Sequence, residues 1–138
     1  MVKVIMGVKG TGKTKQMIEM INAAVTTENG NVIAIERGPK LTYDLSYRIR
    51  LIDTLDYELT TFERMKGFIS GLYASNFDIT HIFIDSLGKI VPSESGHDME
   101  SLLWFILFLR MEKDMFLFLY YHFPFRISTD FQKLIEIS

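Results

Sequence analysis

The chain contains no cysteine, which excludes a disulfide framework and thiolate-held metal and fits a reducing compartment. It also lacks a surplus of positive charge. Its 15 Lys and Arg stand against 17 Asp and Glu for a formal net charge of -2, so no global field draws it to nucleic acid or to an anionic membrane. No long apolar run is present: Leu102 to Leu109 is the longest, where a membrane-spanning helix needs about 20 residues. Before the first glycine come one lysine and Val4-Ile5-Met6, far short of a signal-peptide apolar region. Internal repeats, linkers and low-complexity segments are missing as well. Together these absences predict a cytoplasmic protein with no membrane span and argue against nucleic acid as a partner.

What is present is enough apolar material for a core. With 48% hydrophobic and 13% aromatic residues over 138 positions, the sequence predicts one folded domain spanning 1–138. Val2 to Met6 reads as a strand buried on both faces, ended by Gly7. From Lys13 the apolar residues Met17, Ile18, Met20, Ile21 and Ala24 recur at helical spacing until Asn29-Gly30. Val32 to Ile35 is the next strand, so the first 36 residues read as a βαβ unit with a parallel pairing. Residues 37–48 carry Gly38-Pro39 and no clean period, which predicts a loop before a short strand at Ile49 to Ile52. Thr60 and Glu63 have the form of a capping box, opening a helix whose stripe is Phe62, Met65, Phe68, Ile69 and Leu72. Ile79 to Ile84 is a strand ending in Asp85; a loop follows from Ser86 to Gly96. A helix at about 98–111, a strand from Met115 to Tyr121 and a terminal helix from about Thr129 complete the pattern. Strands alternating with helices predict an α/β fold with a doubly wound, mainly parallel sheet of about five strands.

One stretch carries chemistry. Gly7-Val8-Lys9-Gly10-Thr11-Gly12-Lys13-Thr14 matches the phosphate-binding pattern G-x-x-x-x-G-K-[ST], with a strand before it and a helix after it. Glycines let the backbone turn tightly, so that successive N–H groups face inward around an anion, and the following helix adds its partial positive end. In such a loop Lys13 reaches the phosphate oxygens and the Thr14 hydroxyl ligates magnesium. The magnesium normally has an acidic partner at the end of a neighbouring strand, and His81-Ile82-Phe83-Ile84-Asp85 offers Asp85. An acid at a strand end also caps turns, so the spacing alone leaves both roles open for Asp85.

The chain resembles P-loop NTPases, and in three stretches the RecA-like branch of them: GVKGTGKT at 7–14, VIAIERG at 32–38 and HIFIDSL at 81–87. It is also similar to short, stand-alone ATP-binding proteins of Gram-positive anaerobes that are sometimes labelled relatives of pilus-retraction ATPases. The likeness covers residues 1–38 and 79–91 and stops after Gly96. It implies Mg2+ and ATP as cofactors, and Glu36, at the end of the second strand, as the residue that orients water for attack on the γ-phosphate. Related enzymes that place a glutamate just after the acidic motif differ here, where Ser86 stands. The family's γ-phosphate sensor position, a glutamine or similar group, falls near His122, a loose substitute. ATP is favoured over GTP because no N-K-x-D run occurs.

Three functional readings follow from the sequence. The first is a slow ATPase acting in an oligomer or with a partner. The second is a kinase of a nucleoside or small molecule, which Arg110 and Arg126, isolated in the last third, do not support with an arginine-rich lid. The third is a nucleotide-dependent switch that does not hydrolyse. Arg37, Lys40, Arg48 and Arg50, against the single acid Asp44, form a basic stretch that reads as a solvated loop or as the source of an arginine finger. The loop 86–97 has one lysine, Lys89, offset by Glu94, which argues against DNA strand exchange. Residues 102–109 are apolar around a whole helix and, with 123–125, mark either a subunit or partner interface or deep burial.

Overall fold

The computed structural model describes residues 2–8, 13–27, 30–38, 44–91, 104–105, 107–109, 114–121 and 136–137; side chains are described outside 2–8, 13–14, 88, 114–121 and 136–137. Strand β1 (Val2–Val8) leads into helix α1 (Lys13–Thr27), then β2 (Asn31–Glu36), β3 (Arg50–Asp53) and a single 3₁₀ turn (Thr54–Asp56). Helix α2 (Phe62–Ser75), β4 (Ile79–Asp85), the short α3 (Leu87–Ile90), β5 (Asp114–Tyr121) and β6 (Glu136–Ile137) follow. The strands form one sheet in the order β3-β2-β4-β5-β1-β6, with every pairing parallel. Six strands replace the expected five, because Glu136–Ile137 pairs with Lys3 and Val4 inside the segment expected to be helical.

The expected β1–β2 pairing is not made. β4 and β5 lie between those strands, so α1 carries the chain past two strands of the sheet before β2 begins. The sequence shows a crossover but not how many strands it spans, since those strands arrive later in the chain.

Alternation along the strands divides the core in two. Ile33, Ile35, Ile52, Ile82 and Ile84 face Met65 and Ile69 of α2 together with Phe105 and Leu109. Val32, Ala34 and Phe83 face Met17, Ile21, Ala24 and Val25 of α1. Helices therefore cover both faces, as a parallel sheet requires when its strands are apolar on both sides. Which face each connection takes follows from handedness. Connections moving toward the β3 edge (β1 to β2, β2 to β3) lie on the α1 face, where Leu45 and Ile49 also pack; those moving back (β3 to β4, β4 to β5) lie on the α2 face.

Helix α2 begins one residue later than the capping-box pattern suggests. Thr61, extended at φ -130° and ψ 157°, is the cap, and its hydroxyl accepts from the Arg64 N–H at 3.2 Å. Glu63 instead meets Lys66 at 3.3 Å on the helix surface. Entry into β2 rests on Gly30: a Cβ there would lie 2.7 Å from the Asp78 carbonyl oxygen, and the Asn31 N–H donates to that same oxygen at 2.8 Å. Among the described residues, no helix is long and apolar enough to cross a membrane.

Candidate functional site at the carboxyl edge of the sheet

Three strands end in the same pair of residue types: Ile35-Glu36, Ile52-Asp53 and Ile84-Asp85. In the ladder Ile35 is level with both Ile52 and Ile84, and Glu36 is level with Asp53, so the three acids form one row across β3, β2 and β4. The isoleucines face α2. By alternation the acids sit on the opposite face, the one α1 covers.

Helix α1 returns antiparallel to the strands, which puts its first turn at this same carboxyl edge and on this same face. Gly7 and Val8 close β1, and Lys13 and Thr14 open α1. Lys9, Gly10, Thr11 and Gly12 lie outside the described residues. β4 is two positions from β1 through β5, about 10 Å at ordinary strand spacing, and Asp85 is level with Phe118, which is level with Ile5. The sheet thus brings the ends of the glycine-rich motif, Glu36 and Asp85 to one edge and one face.

A second topological feature marks the place. β2 and β4 are neighbours, yet the chain leaves β2 along the α1 face and leaves β4 along the α2 face. Where neighbouring connections part, ligands commonly bind beyond the carboxyl ends of an open α/β sheet. Glu36 and Asp85 end the two strands concerned.

The polar burial concentrates here too. Glu36 at 2%, Thr54 at 3% and Ser86 at 9% exposure are the buried polar residues among those described, and each ends or directly follows a strand. A buried polar group is tolerated where it is hydrogen-bonded; Glu36 and Asp85 both have partners. Ser86 adopts the left-handed conformation (φ 52°, ψ 54°), and its hydroxyl donates to Asp85 Oδ1 at 3.0 Å. A non-glycine residue in that region costs about 1–2 kcal/mol, and the result here is a carboxylate fixed by its own neighbour. Asp53 plays a different part. Its Oδ1 accepts from the Leu55 N–H at 3.0 Å, capping the 3₁₀ turn, and from the Gly38 N–H at 2.9 Å, so one carboxylate ties the loop after β2 to the loop after β3. Gly38 has φ 89°, a conformation open to glycine.

Among the described residues, no three acids or histidines converge to hold a metal ion by themselves. Magnesium does not require that. It is commonly held by one or two carboxylates while phosphate oxygens and water complete an octahedron. A single oriented carboxylate such as Asp85 fits that donor set.

The basic stretch is not one cluster. Arg37 follows β2 at the carboxyl edge, whereas Arg48 and Arg50 lie at the amino edge, where β3 begins, and Lys40 is outside the described residues. The loop 44–49 is held to α1 instead, through Ser46 N–H to Asn22 Oδ1 at 3.0 Å and Asn22 Nδ2 to the Asp44 carbonyl at 3.2 Å. The expected 86–96 loop opens with α3, whose Leu87, Ile90 and the following Val91 are buried. Phe105 and Leu109 are fully buried in the α2-face core, with Phe105 5.3 Å from the Phe62 ring. Of the two alternatives for that apolar stretch, these positions take burial within the chain, while Trp104 is 61% exposed. Residues 102–103, His122 and 123–125 lie outside the described residues.

Sequence reading missed Asp53, Thr54 and the conformation of Ser86. The signal for the first was available in the repeated Ile-acid ending of three strands, which only the ladder turns into a row. No protein-family model matches the chain, and no curated protein matches it.

Proposed function

We propose that the chain is a P-loop nucleotide-binding protein of RecA-like type that binds Mg-ATP at the carboxyl edge of its sheet and hydrolyses the β–γ phosphoanhydride slowly, in an oligomer or with a partner. One observation carries the reading. The only G-x-x-x-x-G-K-[ST] motif in the sequence spans the turn from β1 to α1, and the ends of β2 and β4 present Glu36 and Asp85 on that same edge and face.

The division of labour follows from charge and position. The loop amides from Gly7 to Gly12 and the Lys13 ammonium hold the phosphates, with the first turn of α1 adding its partial positive charge. Thr14 and Asp85 would hold magnesium, with Ser86 orienting the Asp85 carboxylate. Bound magnesium neutralises charge on the β- and γ-phosphates. Glu36, on the strand beside Asp85, would accept a proton from water directed at the γ-phosphorus.

Two variants test this. Titration of Mg-ATP into the purified chain and into Lys13→Ala is expected to give saturable binding for the first and an affinity lowered by about 10- to 100-fold for the second, the loss of a charge-assisted contact. Glu36→Gln is expected to keep binding and lose turnover. No binding by the unaltered chain at millimolar Mg-ATP removes the reading; unchanged turnover in Glu36→Gln removes only the assigned base.

A kinase acting on a small acceptor is the second reading carried from the sequence. An ADP yield that rises with an added acceptor would select it.

A further inference from the structure

The row of acids faces α1, and the residues just past two of the three strands serve the other face. Arg37 after Glu36 and Thr54 after Asp53 turn toward the α2 face, and there a cavity of about 240 Å³ opens beside them. Its apolar wall is Leu55, 55% exposed, set over the buried Leu59, Ile90 and Thr54. Its rim carries two guanidinium groups, Arg37 and Arg64, and one carboxylate, Glu58.

Both arginines are carried on held backbone. Arg37 lies between the buried Glu36 and Gly38, whose N–H is tied to Asp53. Arg64 sits in the first turn of α2, behind the Thr61 cap, and its Nη1 donates to the Glu58 carbonyl at 3.0 Å. That carbonyl is aimed by an unusual turn: Glu58 has φ 55°, left-handed for a residue with a Cβ, and its oxygen also accepts from the Thr60 N–H at 2.9 Å. Strain of this kind is kept where the surroundings fix it, and ligand clamps are one such place. The Glu58 carboxylate itself is a poor partner for Arg64, at 4.0 Å and largely exposed. It leaves the guanidinium's other donors to a better acceptor.

We propose that this pocket binds a small organic anion, a carboxylate or phosphate monoester bearing a compact apolar group. Guanidinium groups pair with such anions through parallel N–H···O bonds, and the apolar group covers Leu55. A neutral ligand offers the arginines no charge beyond that of Glu58, and inorganic phosphate leaves Leu55 exposed. The proposal does not depend on the nucleotide reading, since it uses the α2 face and none of the residues assigned to ATP.

The test is an amide chemical-shift titration of the full chain, without nucleotide, using phenyl phosphate and benzoate as probes, with inorganic phosphate and benzyl alcohol as controls. Saturable shifts are expected at Arg37, Leu59, Thr60 and Ile90 with either aromatic anion, at least tenfold tighter than with either control. Arg37→Gln and Arg64→Gln, both at exposed positions, are expected to weaken the better probe about tenfold each. Arg64→Lys should recover part of that loss, and Glu58→Gln should tighten binding. Absence of saturable shifts at these residues overturns the proposal. So does equal binding of inorganic phosphate, which makes the site an anion site without an apolar requirement, or affinity that neither arginine variant changes in a protein whose remaining amide spectrum is intact.

Discussion

The two faces of the sheet are built from different materials. On the α2 face the strands contribute Ile33, Ile35, Ile52, Ile82 and Ile84, met by Met65, Ile69, Phe105 and Leu109. On the α1 face the contributions are smaller, Val32 and Ala34 beside Phe83, met by Met17, Ile21, Ala24 and Val25. Among the described residues the heavier face carries the larger buried side chains, while the proposed nucleotide site falls on the lighter one. One sheet keeps these tasks apart because alternate residues of each strand serve alternate faces.

This separation breaks most visibly at Phe105. Phe105→Ala removes a fully buried ring packed on Phe62 and is expected to cost about 3–5 kcal/mol in denaturant unfolding. Mg-ATP affinity of the fraction that stays folded should be unchanged. Lys13→Ala is the converse: a 10- to 100-fold loss of affinity, with unfolding free energy changed by no more than about 0.5 kcal/mol. If both variants moved both quantities alike, the two faces would not be separate in function. Gly30→Ala tests the turn that brings β2 into the sheet. The added methyl meets the Asp78 backbone oxygen, and a loss of about 1–3 kcal/mol is expected in thermal or denaturant melts. The smallest effect belongs to Thr61→Ala, about 1 kcal/mol from the lost cap of α2. Its measurement sharpens the comparison, because a cap on the α2 face should leave nucleotide affinity where it was.

Much of this arrangement was legible in the sequence where a local rule sufficed. The alternation of Val, Ile and Phe runs with 3.6-spaced stripes identifies β1, α1, β2, α2, β4 and β5 within a residue or two. The glycine-rich motif identifies the turn between β1 and α1. Order in the sheet was not legible: β1 and β2 look like a pair because they are consecutive, and only the later arrival of β4 and β5 separates them. β6 was hidden because two residues, Glu136–Ile137, are too short to show a period. The Thr60 cap was misplaced by one position because Thr60 and Thr61 are adjacent and both can serve; the extended backbone of Thr61 decides. Ser86 shows most plainly what pattern omits. Nothing in its type predicts a left-handed backbone, which arises because the chain must leave β4 and start α3 within one residue.

The sheet order also bears on when the molecule becomes complete. β1 pairs with β5 and β6 alone, Val2 with Met115 and Lys3 with Glu136, so the earliest strand has no partner until more than about 100 further residues have been made. β2, β3 and β4, with α2 between them, close their ladder over a much shorter stretch, Asn31 to Asp85. Contacts far apart in sequence form slowly because loop closure must come first. The two acids therefore stand at the edge of an early-forming unit, and the strand that leads into the glycine-rich loop joins the sheet late, through β5.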